Sequence, residues 1–534
     1  MLRTLAMLIP TALLIVASCD GASITAELKH GRGLESVREG VFLRAEGDAL
    51  YLGDRAVRWV GVNAGVIHGA TARETMPRVM EALGRDALAI ARVWALGESE
   101  GDEAWRREVA FRVAPDAWVD ESFVHLDRVL AEARERRVRV VLVLVNRWGD
   151  RGGLPQYARW AGLQPRYRNL LPAEEAHVLA DPRVRASFME HVERLVTRVN
   201  SITGVAYRDD PTIAAWELFN EMGARTCAMQ EALVPWIEHA AARIRELDPN
   251  HLIGAGHIGY NSEQSLRFWR EVHTLPLIGY ADTHGYPQNL LEATRPERLG
   301  AWLDHRAAEA RTLQKPLIVG EIGVPRNDAG FDRALWLQRF LERADQNGTD
   351  AVMVWIYRGD ERDDPHGIWA WGRFAEETAP VRHVLSDASK RWLREDAQAA
   401  GLDVSPSDFP LGLAGIRPHL RGEEEGDELV LDPWQLAEGC VDDEQAWVEH
   451  VIAWSTERDS FSLGFRHARH GRIRVQLDRV HVGTWIDGRF ERNAVTLPSA
   501  TWVWLRLVAE DPAGRRLLGG FTRELPGMET IRIR

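Results

Sequence analysis

The sequence predicts an α/β protein, a (β/α)8 TIM barrel followed by a C-terminal all-β, sandwich-like domain. Three observations carry this expectation. Between Trp59 and Trp392 short apolar runs alternate with stretches of helical periodicity, and there are eight such runs. One of them, Val140-Val141-Leu142-Val143-Leu144-Val145, is apolar without a break, as suits a parallel strand buried on both faces. After Glu395 the pattern turns to period two, which is the pattern of half-buried strands.

Taken in order, the chain opens with one basic residue, Arg3, and an apolar run from Leu5 to Val16. That run is too short for a comfortable membrane span and reads as a signal segment, residues 1–19. Val16-Ala17-Ser18-Cys19 resembles the bacterial lipobox, which makes Cys19 the expected lipidation site and mature N-terminus. The expected location is therefore the bacterial cell envelope, exported and held to a membrane by lipid, with inner or outer membrane left open. Residues 20–40 read as a tether. Val41-Phe42-Leu43 and Ala49-Leu50-Tyr51-Leu52, split by Gly47-Asp48, form a hairpin-like lead-in to the barrel domain, 41–395.

Its predicted strands are Trp59–Asn63, Leu88–Trp94, Val138–Val145, Ile213–Phe219, Leu252–Ala255, Ile278–His284, Leu317–Glu321 and Ala351–Ile356. Phe123, Leu126, Leu130 and Ala133 recur at helical spacing before the third strand. Val184, Phe188, Val192, Leu195 and Val199 do so before the fourth. An eighth helix is expected from Phe374 to Trp392. Residues 396–427, with Pro406, Pro410, Pro418 and the acidic run Glu423-Glu424-Glu425, read as a linker. Residues 428–534 form the expected β domain, with Ile473/Val475/Leu477, Val503/Leu505/Leu507 and Ile531/Ile533 on its strands. A helix at Glu444–Ala453 is the one exception entertained.

A net charge of −13 and a pI near 5.8 give no general attraction to nucleic acid or anionic lipid and suit a neutral substrate. Trp outnumbers Phe and Tyr, 21 against 14 and 8, a mild pointer to sugar rings, whose apolar faces lie well on indoles. Beyond Cys19 only Cys227 and Cys440 remain, and the sequence leaves open whether they pair. Neither a metal-binding motif nor a phosphate loop is present, so no metal and no cofactor is expected.

In such a barrel the chemistry sits at the C-terminal ends of the strands. Those ends carry Asn63, Arg92 and Trp94, Asn146 and Trp148, Asn220-Glu221, His284 and Tyr286, Glu321, and Trp355 and Tyr357. Two glutamates, Glu221 after strand four and Glu321 at strand seven, supply the proton donor and nucleophile that glycoside hydrolysis needs. Asn220 is placed to hold a substrate hydroxyl, and Arg92 to keep the nucleophile ionised. Glu217, deeper in strand four, reads as a support. Trp355 is the expected stacking platform. Asn146, Trp148, His284 and Tyr286 complete the expected substrate contacts.

With these residues in view, the chain resembles glycoside hydrolase family five over roughly residues 41–394. Asn220-Glu221 and Glu321 match the signature of its clan of retaining (β/α)8 glycosidases, and Arg92, His284, Tyr286 and Trp355 match further family positions. The stretch from Val145 through Asn146-Arg147-Trp148-Gly149-Asp150-Arg151-Gly152-Gly153 to Gln156-Tyr157 and Trp160-Ala161-Gly162 is similar to that of eukaryotic-type endo-β-1,4-mannanases. Two departures border the cleft. Arg147 stands where those enzymes usually carry a second Asn, and Met222-Gly223-Ala224 replaces Pro-Arg-Cys after the acid. The resemblance implies cleavage of β-1,4-mannosidic bonds in mannan or glucomannan with net retention, Glu321 attacking and Glu221 serving as acid and base, its pKa above that of Glu321. The alternatives are β-glucanase or exo-β-mannosidase action at the same site, or a surface lipoprotein that binds glycan without cutting it.

Overall fold

Eight short parallel strands wind into a barrel in the computed structural model of the chain. They are β1 (Trp59–Asn63), β2 (Ile90–Trp94), β3 (Arg139–Val143), β4 (Ile213–Glu217), β5 (Leu252–Gly254), β6 (Ala281–Gly285), β7 (Leu317–Ile322) and β8 (Ala351–Val354). The structure describes residues 40–400 except 66, 68–69, 100–109, 288–295 and 327–331, and beyond them a set of strands between Leu429 and Ile533. Ladders run in the order β5-β4-β3-β2-β1-β8-β7-β6. The seam between β5 and β6 is crossed by the Gly279 amide, which donates to the Ile253 carbonyl at 2.8 Å, and by His284, whose amide donates to that of Ile258 at 3.1 Å. Each predicted strand is found, trimmed or shifted by a few residues.

Alternation along the strands divides the core in two. Val60 and Val62, Ala91 and Val93, Val140 and Leu142, and Val352 and Val354 face outward and pack against the helices. Trp59, Ile90, Val141, Ile318 and Met353 face inward and fill the lower barrel. The hairpin Leu43–Glu46/Ala49–Leu52, whose turn places Gly47 at φ +59°, plugs that end with Leu43, Leu50 and Leu52. Buried Asp350 fastens it, accepting from the Leu50 amide at 3.1 Å and from that of Leu317 at 3.0 Å.

Helices follow the predicted periodicities with two differences. The helix carrying Val184, Phe188, Val192 and Leu195 stops at Val196, so Val199 lies beyond it and is exposed. The last helix, Ala375–Ala399, runs past Trp392 because Asp396 is still engaged. Its carboxylate accepts from the Arg58 amide at 2.6 Å and from Arg58 Nε at 3.0 Å. No described helix is long and apolar enough to cross a membrane.

Beyond residue 428 the described elements are all strands, in antiparallel sheets of three and five. Val475 pairs with Leu507 and Leu477 with Leu505, so the residues expected on common faces are cross-strand neighbours. The helix entertained at Glu444–Ala453 is instead a strand, Trp447–Ala453. Val448, Val451 and Ile452 are β-branched, and pairing with Trp502–Glu510 outweighs any local helical tendency. Cys227 is disulfide-bonded, which settles one side of a pairing the sequence left open. The expected signal segment with Cys19, the tether up to residue 39, linker residues 401–427 and Cys440 lie outside the described residues.

Candidate active site

The inward face changes character on rising through the barrel. On β2 it passes from Ile90 to Arg92 and on β1 from Trp59 to Asn63, while β4 carries Glu217 and β7 Glu321 at the same level. The period-two rule that builds the core below thus aims Asn63, Arg92 and Glu217 at the mouth above, while Glu321, three residues after inward-facing Ile318, is turned in by a register shift of β7 between Val319 and Ile322.

Arg92 is the hub of that set and is fully buried. Its Nε and Nη2 grip Glu217 Oε1 at 2.8 and 2.6 Å, and Nη2 also reaches Asn220 Oδ1 at 2.8 Å. Nη1 donates to Glu321 Oε1 at 2.6 Å and to Asn63 Oδ1 at 3.0 Å. Asn63 in turn donates to the Gly320 carbonyl at 2.8 Å. A guanidinium serves here because its planar fork carries five N–H donors for these five bonds, whereas an ammonium has three. Tyr286 donates its hydroxyl to the other oxygen of Glu321. Burial and the charge of Glu321 push that phenol well up, so it stays a donor.

Glu221 lies just past β4 with φ +59°, a backbone region costly for a side chain with a Cβ. Bridges on both sides hold it there, Asn146 with Asn220 and Met222 with His257. Its Oε2 accepts from Trp148 Nε1 at 2.6 Å and its Oε1 faces His284 Nδ1 at 3.0 Å. Since carboxylates only accept, Nδ1 carries the imidazole proton. The same Nδ1 is 3.7 Å from Glu321 Oε2. The His284 ring passes β7 at Gly320, where a Cβ would sit 2.8 Å from Nε2.

Ligand atoms of Glu221, His284 and Glu321 all lie within 4.8 Å of one another. That places an oxygen of each glutamate within reach of a single anomeric carbon. It also resembles the spacing of a metal site, but the Arg92 guanidinium on Glu321 already supplies positive charge there. The proton order differs from the one expected. Burial pushes Glu321 above its ordinary range, with the charge of Glu221 adding to it, against His284, Arg92 and Tyr286. For Glu221 burial also acts upward, but the hydrogen bonds and charge of His284, the Trp148 bond and Arg92 outweigh it and leave the group lowered. The physical reason is that Arg92 spends most of its fork on Glu217 and Asn220, whereas His284 turns its proton to Glu221. His284 is itself raised, because the two carboxylates outweigh its burial.

Of the remaining predicted residues, Asn146 and Trp148 bond to the Asn220-Glu221 turn, and Trp355 stands at the end of β8. Asn146 accepts from Asn220 Nδ2 at 3.0 Å and donates to the Asp150 carbonyl at 3.0 Å, so it braces the loop and the residue before Glu221. Trp148 is half-buried over Glu221. Trp355, half-buried at the end of β8, stands 5.7 Å from Trp94, and their tilted rings form an aromatic wall.

Comparison with known proteins decides the family. The profile of the GH family 5 beta-mannosidase-like group matches residues 36–372. The chain belongs to glycoside hydrolase family 5, in its β-mannosidase-like group. It is 31% identical over 345 residues to Mannan endo-1,4-beta-mannosidase 1 of Oryza sativa subsp. japonica, covering 60% of this chain and 77% of that protein. It is 29% identical over 317 residues to Mannan endo-1,4-beta-mannosidase 3 of Arabidopsis thaliana, covering 56% and 73%. Among solved structures, a family 5 mannosidase from Rhizomucor miehei superposes with a TM-score of 0.58 at 20% identity, covering 67% of this chain and 99% of that one. The endo-beta-1,4-mannanase from Thermotoga petrophila gives 0.56 at 20% identity, covering 85% and 92%. At these identities the structures show a shared fold.

Within this family-5 barrel the sequence reading missed one group. Glu175, buried on a helix after β3, takes Arg147 Nε at 2.7 Å and Arg225 Nη2 at 2.7 Å. The two departures from the mannanase pattern also meet, for a Cβ on Gly223 would lie 3.5 Å from Arg147 Nη1. Gly223 thus lies against Arg147 of the preceding loop, while Arg225, two residues further on, holds Glu175.

Proposed function

We propose that the chain is a retaining endo-β-1,4-mannanase in which Glu321 is the nucleophile and Glu221 the acid/base. The observation that carries this reading is the Glu221–His284–Glu321 cluster, with its ligand atoms within 4.8 Å, at the mouth of a family-5 barrel. Retaining enzymes keep the two carboxyls about 5–5.5 Å apart, whereas inverting ones leave about 6.5–9.5 Å for water. Glu321 attacks the anomeric carbon as Glu221 passes a proton to the departing oxygen. Glu221 then takes a proton from the water that cleaves the glycosyl ester.

The resting proton order is compatible with this cycle. Moving the His284 Nδ1 proton across the 3.0 Å hydrogen bond turns an ionic His284–Glu221 pair into a neutral pair. A bound sugar that expels water favours the neutral pair, because desolvation penalises charge, and so arms Glu221 as an acid. Esterification of Glu321 then removes a negative charge beside Glu221 and helps it act as a base.

Mannan as substrate is supported by the mannan endo-mannosidases among the relatives. Comparing hydrolysis of mannan, glucomannan, cellulose and xylan, and sizing the products, tests it. Mannan cut internally to oligosaccharides is expected. Preference for a β-glucan, or release of mannose alone, would move the enzyme to one of its alternatives, and binding without cleavage would make it a glycan-binding protein. We further propose that Cys19 carries lipid and holds the enzyme to a bacterial envelope membrane. Cys19→Ser should then move the protein to the soluble fraction, and unchanged membrane association would refute the anchor.

A further inference from the structure

Arg147 is placed to act on the acid/base without touching the substrate. It is 2% exposed, so a glycan cannot reach it. Its Nε and Nη2 form a two-pronged ion pair with buried Glu175, at 2.7 and 3.2 Å. Glu175 is held from its other side by Arg225. So fixed, the Arg147 guanidinium lies 4.9 Å from the Trp148 ring centroid, in cation–π contact. Trp148 passes the constraint on, since its Nε1 donates to Glu221 Oε2 at 2.6 Å.

A second route reaches the backbone of the same residue. Arg147 Nη1 donates to the Glu221 carbonyl at 3.4 Å, and the Arg147 amide donates to the Asn220 carbonyl at 3.2 Å. Glu221 needs such support because its φ of +59° is one a non-glycine residue leaves readily.

We propose that Arg147 is a positioning residue for proton transfer: anchored on Glu175, it sets the Trp148 ring and the Glu221 backbone, and thereby aims the Glu221 carboxyl at the glycosidic oxygen. The inference rests on Glu221 being the acid/base.

The test compares aryl β-mannobiosides with a dinitrophenyl leaving group, which needs little protonation, and a methoxyphenyl one, which needs much. General acid catalysis contributes about 10²–10⁴-fold, so misaiming the acid should cost about 10–100-fold on the methoxyphenyl substrate in Arg147→Ala. The dinitrophenyl substrate should lose less than about 3-fold in glycosylation, on the same reasoning. Arg147→Lys, which keeps a charge but not the planar fork, and Glu175→Gln should show the same split to a lesser degree, and both keep most of the packing. Trp148→Phe, which keeps a ring but not its donor, should reproduce it.

A merely structural role would lower both substrates alike through loss of active protein. Equal losses in the Arg147 and Glu175 variants, beside a clear split in Glu221→Ala, would overturn the proposal and leave the acid/base assignment standing. Absence of a split in Glu221→Ala would overturn both.

Discussion

Replacing Tyr286 by Phe isolates one hydrogen bond to the nucleophile. The ring has nowhere else to go: a Cβ on Gly323 would lie 2.3 Å from Tyr286 Cε1, and the ring packs edge-on to His366 at 5.5 Å. Phe should therefore occupy the same place and lose only the hydroxyl. Glu321 would keep the Arg92 bond at 2.6 Å on Oε1 and lose its donor on Oε2. A hydrogen bond to a charged group contributes about 1.5–3 kcal/mol, and each pKa unit corresponds to about 1.4 kcal/mol. The ionised form of Glu321 is the one stabilised, so its pKa, already raised by burial, should climb a further one to two units or so. Because kcat/KM follows the ionisations of the free enzyme, its acidic limb should move to higher pH by that amount. Well below the limb this is a loss of about 10–100-fold, shrinking as the pH rises. The assay is kcat/KM against pH on a soluble manno-oligosaccharide. An unmoved limb, or one displaced to lower pH, would show that Tyr286 does not stabilise the ionised nucleophile.

The two glutamates should fail differently. Glu321→Ala should stop glycosyl-enzyme formation and regain turnover with azide as an inverted product, whereas Glu221→Ala should give a retained azide product. Exchanged outcomes would exchange the roles. At the closed end of the barrel, burial pushes Asp350 from 3.8 up to about 7, against the hydrogen bonds from Leu50 and Leu317. A carboxyl whose folded pKa is raised contributes stability that is full below pH 4 or so and lost as the pH climbs through about 7. Asp350→Asn should therefore remove about 4 kcal/mol of the difference in unfolding free energy between the two ends of that window. Urea titrations across it, giving curves parallel to those of the wild type, would count against a protonated Asp350.

The barrel was legible because its strands are buried on both faces and each must announce itself as an apolar run. Val140 to Val145 is the clearest case, and the strand observed there, Arg139–Val143, takes in the first four residues of that run. The strand-end residues were legible for a related reason, since in a parallel barrel the position after an apolar run is the position at the mouth. What escaped depends on partners distant in the chain. Whether Arg92 gives its fork to Glu217 or Glu321 is set by geometry across the barrel, and so the proton order came out reversed. Glu175 sits on a short helix with no motif around it, and only the loop from β3 gives it meaning. The sole hint was Arg147 itself, an unusual residue beside the cleft. At Trp447–Ala453 an amphipathic stretch fits either period, and the neighbouring strand decides.

The reversed order bears on why the barrel carries three carboxylates around one guanidinium. Glu217 gives up no proton to substrate, yet it takes two of the five Arg92 bonds. Without it, Arg92 would have Glu321 as its one directly bonded carboxylate, and more of its charge would act to hold that group low and poorly nucleophilic. Shared as it is, Arg92 keeps Glu321 in place through a single Nη1 while burial holds its pKa up. A carboxylate with a raised pKa is the stronger nucleophile, provided the pH keeps it ionised. His284 makes the complementary adjustment on the other side by storing near Glu221 the proton that the leaving group will need. The site is therefore tuned by how one cation is divided among its neighbours, and that division is fixed by the inward register of β1, β2 and β4 together with the register shift of β7 that turns Glu321 inward.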